Sequence, residues 1–303
     1  MPPSGPLPAD FVQRTLDLHG QAGRVWLAQL PQLVAACAAR WGLTPRPPFA
    51  LSYNYVAPAT LADGTPCVLK LRAPHAGPWT ELAALRHYAG RGCAAVLAAD
   101  DALGALLIEQ LRPGAPLTTL PDDEATGVAA ALMTRLWRPP PPDHPFPTLA
   151  DWMRGLARLR AHYGGPGPFP AALLARAEGL WADLRSEPTP SVVLHGDLHH
   201  ANILAAERVP WLAIDPQGVV GDPAFEAGAL LRNPLAAVRA WPDLAARTAR
   251  RLAILAERTG LDRRRLAGWA LVSGVLSAWW TVEDHGRFRA AELRLPEALV
   301  SLS

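Results

Sequence analysis

Several things are scarce in this 303-residue chain, and each scarcity excludes something. There are three cysteines, Cys37, Cys67 and Cys93. An odd count without short pairing intervals argues against a disulfide framework and for reduced thiols in a cytoplasmic protein. Long apolar runs are missing as well. The longest, residues 267–282, has sixteen positions broken by Gly268, Ser273, Gly274 and Ser277. That is short of the roughly 20 residues a membrane span needs, so a buried core helix is expected and no membrane partner. The first ten residues are proline-rich, with no basic segment leading into an apolar run, so no signal peptide is expected. Charge of one sign is missing too: the formal net charge is +2. No basic stripe alternates with aromatics, which excludes nucleic acid as an obvious partner.

Lysine is nearly absent. Of 29 basic residues, Lys70 is the only lysine. A sequence that otherwise writes arginine has kept one compact ammonium on a thin stem where a wide planar fork would not serve, as a narrow phosphate site would demand. The plain alternative is chance survival of a surface lysine. Lys70 stands, however, in the apolar, strand-like run Pro66-Cys67-Val68-Leu69-Lys70-Leu71, which suits such a survivor poorly.

The most informative segment is His195-Gly196-Asp197-Leu198-His199-His200-Ala201-Asn202, with Asp215 thirteen residues beyond Asn202. Residues 191–194 read as a short buried strand entering this loop, 202–205 as a second strand, 206–210 as a turn, and 211–214 as a third strand ending at Asp215. A hairpin of that size brings its two ends level, so Asn202 and Asp215 can face one hard divalent cation. His, Asp and Asn are also common turn formers. Four of them at fixed spacing between apolar strands point to a site instead. A metal centre built on His195, His199 and His200 fits less well, for there is no His-Glu-x-x-His and no cysteine pair.

Residues 8–18 and 22–39 are predicted helices ending near Gly20 and Gly42, with Pro31 a possible kink in the second. Residues 49–52, 53–57 and 66–71 are predicted strands, followed by a helix at 79–88 and strands at 94–98 and 105–109. Helices are predicted at 122–136, 148–162, 170–184, 222–231, 242–259, 262–282 and 288–302. The proline tract at 139–147 reads as a stiff loop rather than a partner motif, and no obligate protein partner is evident.

Three stretches carry a family resemblance: Leu51 through Pro58, His195 through Leu204, and Ile214-Asp215-Pro216-Gln217-Gly218 with Gly221-Asp222-Pro223 after it. Over about residues 45–290 the chain resembles the aminoglycoside phosphotransferases, in particular their streptomycin 6-phosphotransferase and hydroxyurea phosphotransferase branch. The resemblance implies an α+β, protein-kinase-like fold of two lobes. Residues 1–111 would form a small lobe with an antiparallel sheet, and residues 112–303 a larger, mainly helical lobe with the catalytic loop and acceptor pocket. It implies an ATP- and magnesium-dependent kinase that phosphorylates a hydroxyl of a small molecule, such as streptomycin or hydroxyurea. Asp197 matches the catalytic aspartate, Asn202 and Asp215 the magnesium ligands, and Lys70 the lysine on the α- and β-phosphates. Glu81 matches its ion-pair partner, the plain alternative being a solvated helix-face charge. Glu109, Gln110 and Leu111 match the hinge that holds adenine through backbone groups.

The departures are informative. No Gly-x-Gly-x-x-Gly precedes Lys70, Asp215-Pro216-Gln217 stands for Asp-Phe-Gly, and Gly196 replaces the arginine that reads a phosphorylated activation loop. A protein substrate is therefore not expected. A cationic acceptor would call for carboxylates and aromatic faces near Asp197. Asp222, Glu226, Trp279, Glu283 and Asp284 are the candidates. Asp222 could instead brace the metal loop, Glu226 could serve the start of a helix, and Trp279 could be core. A kinase of a metabolic alcohol such as choline or homoserine, or a nucleotide-binding protein without catalysis, would share most of these residues.

Overall fold

A computed structural model describes residues 6–75, 77–187 and 189–303; the leading five residues of the proline-rich start lie outside the described residues. The chain falls into two compact units. One runs to Pro78 and takes in Ala94–Leu111; the other is Trp79–Cys93 with Arg112–Ser303.

In the first unit, α1 (Ala9–Trp41) precedes a five-stranded sheet of β1 (Thr44–Pro45), β2 (Tyr55–Thr60), β3 (Pro66–Leu71), β4 (Val96–Asp100) and β5 (Ala105–Glu109). The spatial order is β1-β2-β3-β5-β4, and every neighbouring pair is antiparallel. The opening strand is Thr44–Pro45 rather than residues 49–52, which make no ladder. α1 is interrupted at Gly20, whose φ of 53° and ψ of −124° need a residue without Cβ; the helix runs on through Pro31. Phe11 and Trp26 meet edge to face across that bend, with ring centroids 6.1 Å apart.

Alternation along the strands decides where the core lies. Tyr55, Ala57 and Ala59 on β2 stand opposite Leu71, Leu69 and Cys67 on β3. All six are buried in one cluster with Trp26, Leu30, Val34 and Cys37 of α1. Lys70 pairs with Val56 and Leu106 and so points to the other face of the sheet, where it is only 4% exposed. The strand-like run around the sole lysine is thus a central strand of this sheet.

The second unit begins with α2 (Thr80–Tyr88), which carries Glu81 in its first turn. It continues through β6 (Pro113–Pro116), α3 (Asp122–Leu136), α4 (Leu149–Tyr163) and α5 (Ala171–Ser186). Four short strands follow: β7 (Val192–Leu194), β8 (Ile203–Ala206), β9 (Trp211–Ala213) and β10 (Val219–Gly221). The remainder is helical: α6 (Ala227–Arg232), α7 (Leu235–Ala240), α8 (Leu244–Thr259), α9 (Arg263–His285) and α10 (Arg294–Leu299). α9 is buried nearly all round, as its apolar sequence requires. Its Gly274 admits Pro296 of α10, and Gly155 of α4 admits Leu276 of α9. Among the described residues no helix is long and apolar enough to cross a membrane.

Two small sheets frame the loop between β7 and β8. β7 pairs antiparallel with β10, Leu194 opposite Val219. The β8–β9 hairpin, Ile203 opposite Ala213, is extended by β6. The hairpin lies where the sequence places it.

Candidate active site

The loop from His195 to Asn202 is fixed by its own backbone and by two buried side chains. Burial pushes the His195 imidazole down to about 4, so it is neutral near pH 7. Its Nδ1 accepts from the Asp197 amide at 3.3 Å, which assigns the proton to Nε2; that nitrogen then donates to the Ile214 carbonyl at 2.8 Å. One ring therefore ties the loop to the residue before Asp215. The Gln217 amide returns to the His195 carbonyl at 2.7 Å and closes the same connection.

Glu226 supplies the second anchor. Its two carboxylate oxygens accept from the His195 and Gly196 amides at 2.9 and 2.8 Å. Burial raises this carboxyl to about 7; the two amides oppose the rise, and the charge of Asp197 adds to it. Gly196 sits between the anchors at φ 83°, a backbone conformation that suits glycine. A Cβ there would stand 2.8 Å from Cη2 of Trp152 and 3.2 Å from Cβ of Gln217. The room that an arginine would need at this position is taken by an indole.

Asp197 follows. His199 Nε2 stands 3.5 Å from Oδ2 of Asp197, while the Ala201 amide donates to Nδ1 of the same ring at 3.2 Å. Burial works to raise the Asp197 carboxyl, but the His199 hydrogen bond and the charges of His199 and Arg232 outweigh it and hold the group below its ordinary range. Asp197 is thus kept ionised, with a polarised partner on one oxygen. Asn202 donates from Nδ2 to the Asp197 carbonyl at 3.0 Å, which directs Oδ1 to the opposite side of the amide. The Ile214 amide donates to the Asn202 carbonyl at 2.9 Å. Asn202 and Asp215 therefore flank the base of one hairpin. Asp215 takes a left-handed φ of 58°, unusual for a residue with a Cβ. A carboxylate and an amide oxygen at one hairpin base suit magnesium, which takes few protein ligands and fills its sphere with phosphate oxygens and water.

The other expected site residues are placed as follows. Lys70 lies in the first unit and Glu81 in the second. The Glu109 side chain accepts from the Ala95 amide at 2.7 Å, and the amides of Glu109 and Gln110 donate to the carbonyls of Ala95 and Pro66. Asp222 is buried and accepts from Arg265 Nε at 2.6 Å, Trp269 Nε1 at 2.7 Å and the Ala224 amide at 2.9 Å. It holds the turn into α6, and Glu226 holds the loop from His195 to Asn202. Trp279 is 3% exposed, packed on His162 and Tyr163. Glu283 is gripped by both arms of Arg158 at 2.7 and 3.0 Å. The Asp284 carboxyl is raised by desolvation and by the charge of Glu283. His199 was present in the motif but carried no assignment; Trp152 and Arg232 gave no signal in the sequence.

Residues 40–285 match the family described as aminoglycoside/hydroxyurea antibiotic resistance kinase. A streptomycin 6-kinase of Streptomyces griseus is 37% identical over 277 residues, covering 88% of this chain and 87% of that protein. A hydroxyurea phosphotransferase of Kitasatospora aureofaciens is 35% identical over 311 residues, covering 98% and 84%. Among solved structures, a thermostable mutant of the aminoglycoside phosphotransferase APH(4)-Ia in a ternary complex with ADP and hygromycin B superposes with a TM-score of 0.59 at 14% identity, covering 88% of this chain and 97% of that one. The fold is the kinase-like α+β fold of these enzymes, and the chain belongs to the aminoglycoside/hydroxyurea antibiotic resistance kinase family, whose relatives are small-molecule phosphotransferases.

Proposed function

We propose that this protein moves the γ-phosphate of ATP to a hydroxyl of a small antibiotic, with streptomycin as the acceptor to be tested first. The observation that carries this reading is the Asp197 carboxylate, held ionised on a loop pinned from both sides by Ile214 and Glu226. An ionised carboxylate in fixed position can orient the acceptor hydroxyl and take its proton as the oxygen attacks phosphorus. His199, on Oδ2, leaves the other carboxylate oxygen for that hydroxyl.

Asn202 and Asp215 are the residues that would hold magnesium. When bound, the ion offsets the charge of the phosphate oxygens. Lys70 and Glu81 would act on the triphosphate as a cation and its orienting partner. At the hinge, the amides of Glu109 and Gln110 are already engaged within the sheet, so the Leu111 amide is the donor we assign to adenine. The pinned loop serves transfer to any small hydroxyl. Choline-like acceptors are disfavoured because the close relatives are named for streptomycin and hydroxyurea.

The test is incubation of the purified protein with ATP, magnesium and streptomycin. The expected result is a mass gain of one phosphate on streptomycin that depends on ATP. Failure to modify both streptomycin and hydroxyurea while ATP is bound would overturn the reading.

A further inference from the structure

The structure assigns an acceptor wall to two indoles that the site chemistry above does not use, Trp152 of α4 and Trp280 of α9, and gives that wall to an acceptor carrying a guanidinium or ammonium group. This assignment rests on the phosphotransferase reading, because it places the wall by its contact with the loop that carries Asp197.

Three observations carry it. First, Trp152 adjoins the catalytic loop: its ring edge is so close to Gly196 that a Cβ there would be 2.8 Å away. Asp197, the carboxylate that would receive the acceptor hydroxyl, is the next residue, so the ring stands one residue along the loop from it. Second, Trp280 meets Trp152 edge to face, with ring centroids 5.4 Å apart and planes at 90°. Behind them Phe225 stands at 5.7 Å from Trp152 and fixes its orientation. Both indoles are only partly buried, unlike Trp269 and Trp279 of the same α9, which are 2% and 3% exposed. Core packing accounts for the latter two and leaves the surface of the former two unexplained. Third, the wall ends in negative charge. Asp284 lies one helical turn from Trp280, on the same side of α9. Glu283 beside it is occupied by Arg158, whereas Asp284 makes no ion pair among the described residues.

Indole faces attract cations through their negative quadrupole, and guanidinium planes stack on them. A wall of two indoles leading to an open carboxylate matches a cationic, ring-bearing acceptor. A neutral acceptor as small as hydroxyurea would touch little of it. The acceptor residue named from the sequence, Trp279, is thus one position away from the indole that faces outward.

The experiment measures streptomycin binding by isothermal titration without nucleotide, on the full chain, together with steady-state phosphorylation. Trp280→Ala is expected to weaken streptomycin binding by about tenfold while leaving KM for ATP unchanged. Trp280→Phe is expected to retain most of the affinity. Asp284→Asn, at an exposed position that cannot upset the core, is expected to weaken streptomycin without changing KM for hydroxyurea. Streptomycin affinity unchanged in both Trp280→Ala and Asp284→Asn, or no binding to the unsubstituted protein, would overturn the wall. Binding that follows these expectations with no phosphate transferred would sink the phosphotransferase reading and leave the wall standing. Transfer with unaltered streptomycin KM in the variants would do the reverse.

Discussion

Three buried titrating groups in and around the loop from His195 to Asn202 act on stability in opposite senses. His195 and His200 are both pushed down from 6.5 to about 4, chiefly by burial. As pH falls, the unfolded chain takes up their protons first. The stability they contribute is therefore present above about 6.5 and lost on the way to 4. Glu226 is raised from 4.5 to about 7, so its contribution is full below 4.5 and lost as pH rises through 7. Between 4.5 and 6.5 two histidines outweigh one glutamate, and stability from these groups rises by about 1.4 kcal/mol per pH unit. His200 is the group to remove: it is 2% exposed and neither ring nitrogen has a hydrogen-bond partner among the described residues. His200→Leu is expected to flatten the rise, as measured by urea unfolding at pH 4.5, 5.5 and 6.5. It should cost nothing at pH 7, where an unsatisfied buried polar group is a penalty of about 1–3 kcal/mol. At this scale the grouping of Asp197, Asn202 and Asp215 was legible, because their spacing is local. The roles of Asp222 and Glu226 were not, since their partners lie in Trp269, Arg265 and backbone amides some thirty to fifty residues distant in sequence.

Among the elements, those stabilised by local periodicity stood out in the sequence: α3 lies at the expected 122–136, and the β8–β9 hairpin was placed within a residue. β1, β6 and β10 were not legible. Each has four residues or fewer and exists only because a partner strand from elsewhere in the chain supplies its hydrogen bonds. The crossing of α6 and α9 was invisible for the same reason and yet positions Glu226 and Arg232. It depends on Gly228, where a Cβ would come 1.8 Å from the Ser273 hydroxyl. Ser273 in turn accepts from Arg232 at 3.4 Å. Gly228→Ala is expected to destabilise the protein by about 1–3 kcal/mol through overpacking, and to lower the phosphorylation rate with it. Adding Ser273→Gly should return part of the stability. Additive losses in that double variant would contradict the packing account.

For the whole molecule, the expected boundary between halves at residue 111 meets a grouping in which Trp79–Cys93 belongs with the helical unit. The contacts within that unit explain it. The Tyr88 hydroxyl donates to the Val193 carbonyl at 3.3 Å, the Ala213 amide to Gly92 at 2.9 Å, and Gly218 stands so near Thr80 that a Cβ would be 2.9 Å from its carbonyl. The helix bearing Glu81 is thus built into the same unit as the loop from His195 to Asn202. Sequence order hides this, because the helix interrupts the strands of the sheet. What the family membership adds is the reaction class; the structure adds a carboxylate held ionised on a pinned loop, to which we assign the proton of the acceptor hydroxyl. The most direct measurement of that claim is the single-turnover rate of phosphate transfer to streptomycin at saturating ATP and magnesium, for Asp197→Asn against the unsubstituted protein. With Asp197 as the acceptor-side base, a loss of about 10²–10⁴-fold is expected, with nucleotide affinity unchanged. A rate within about threefold of the unsubstituted protein would contradict it.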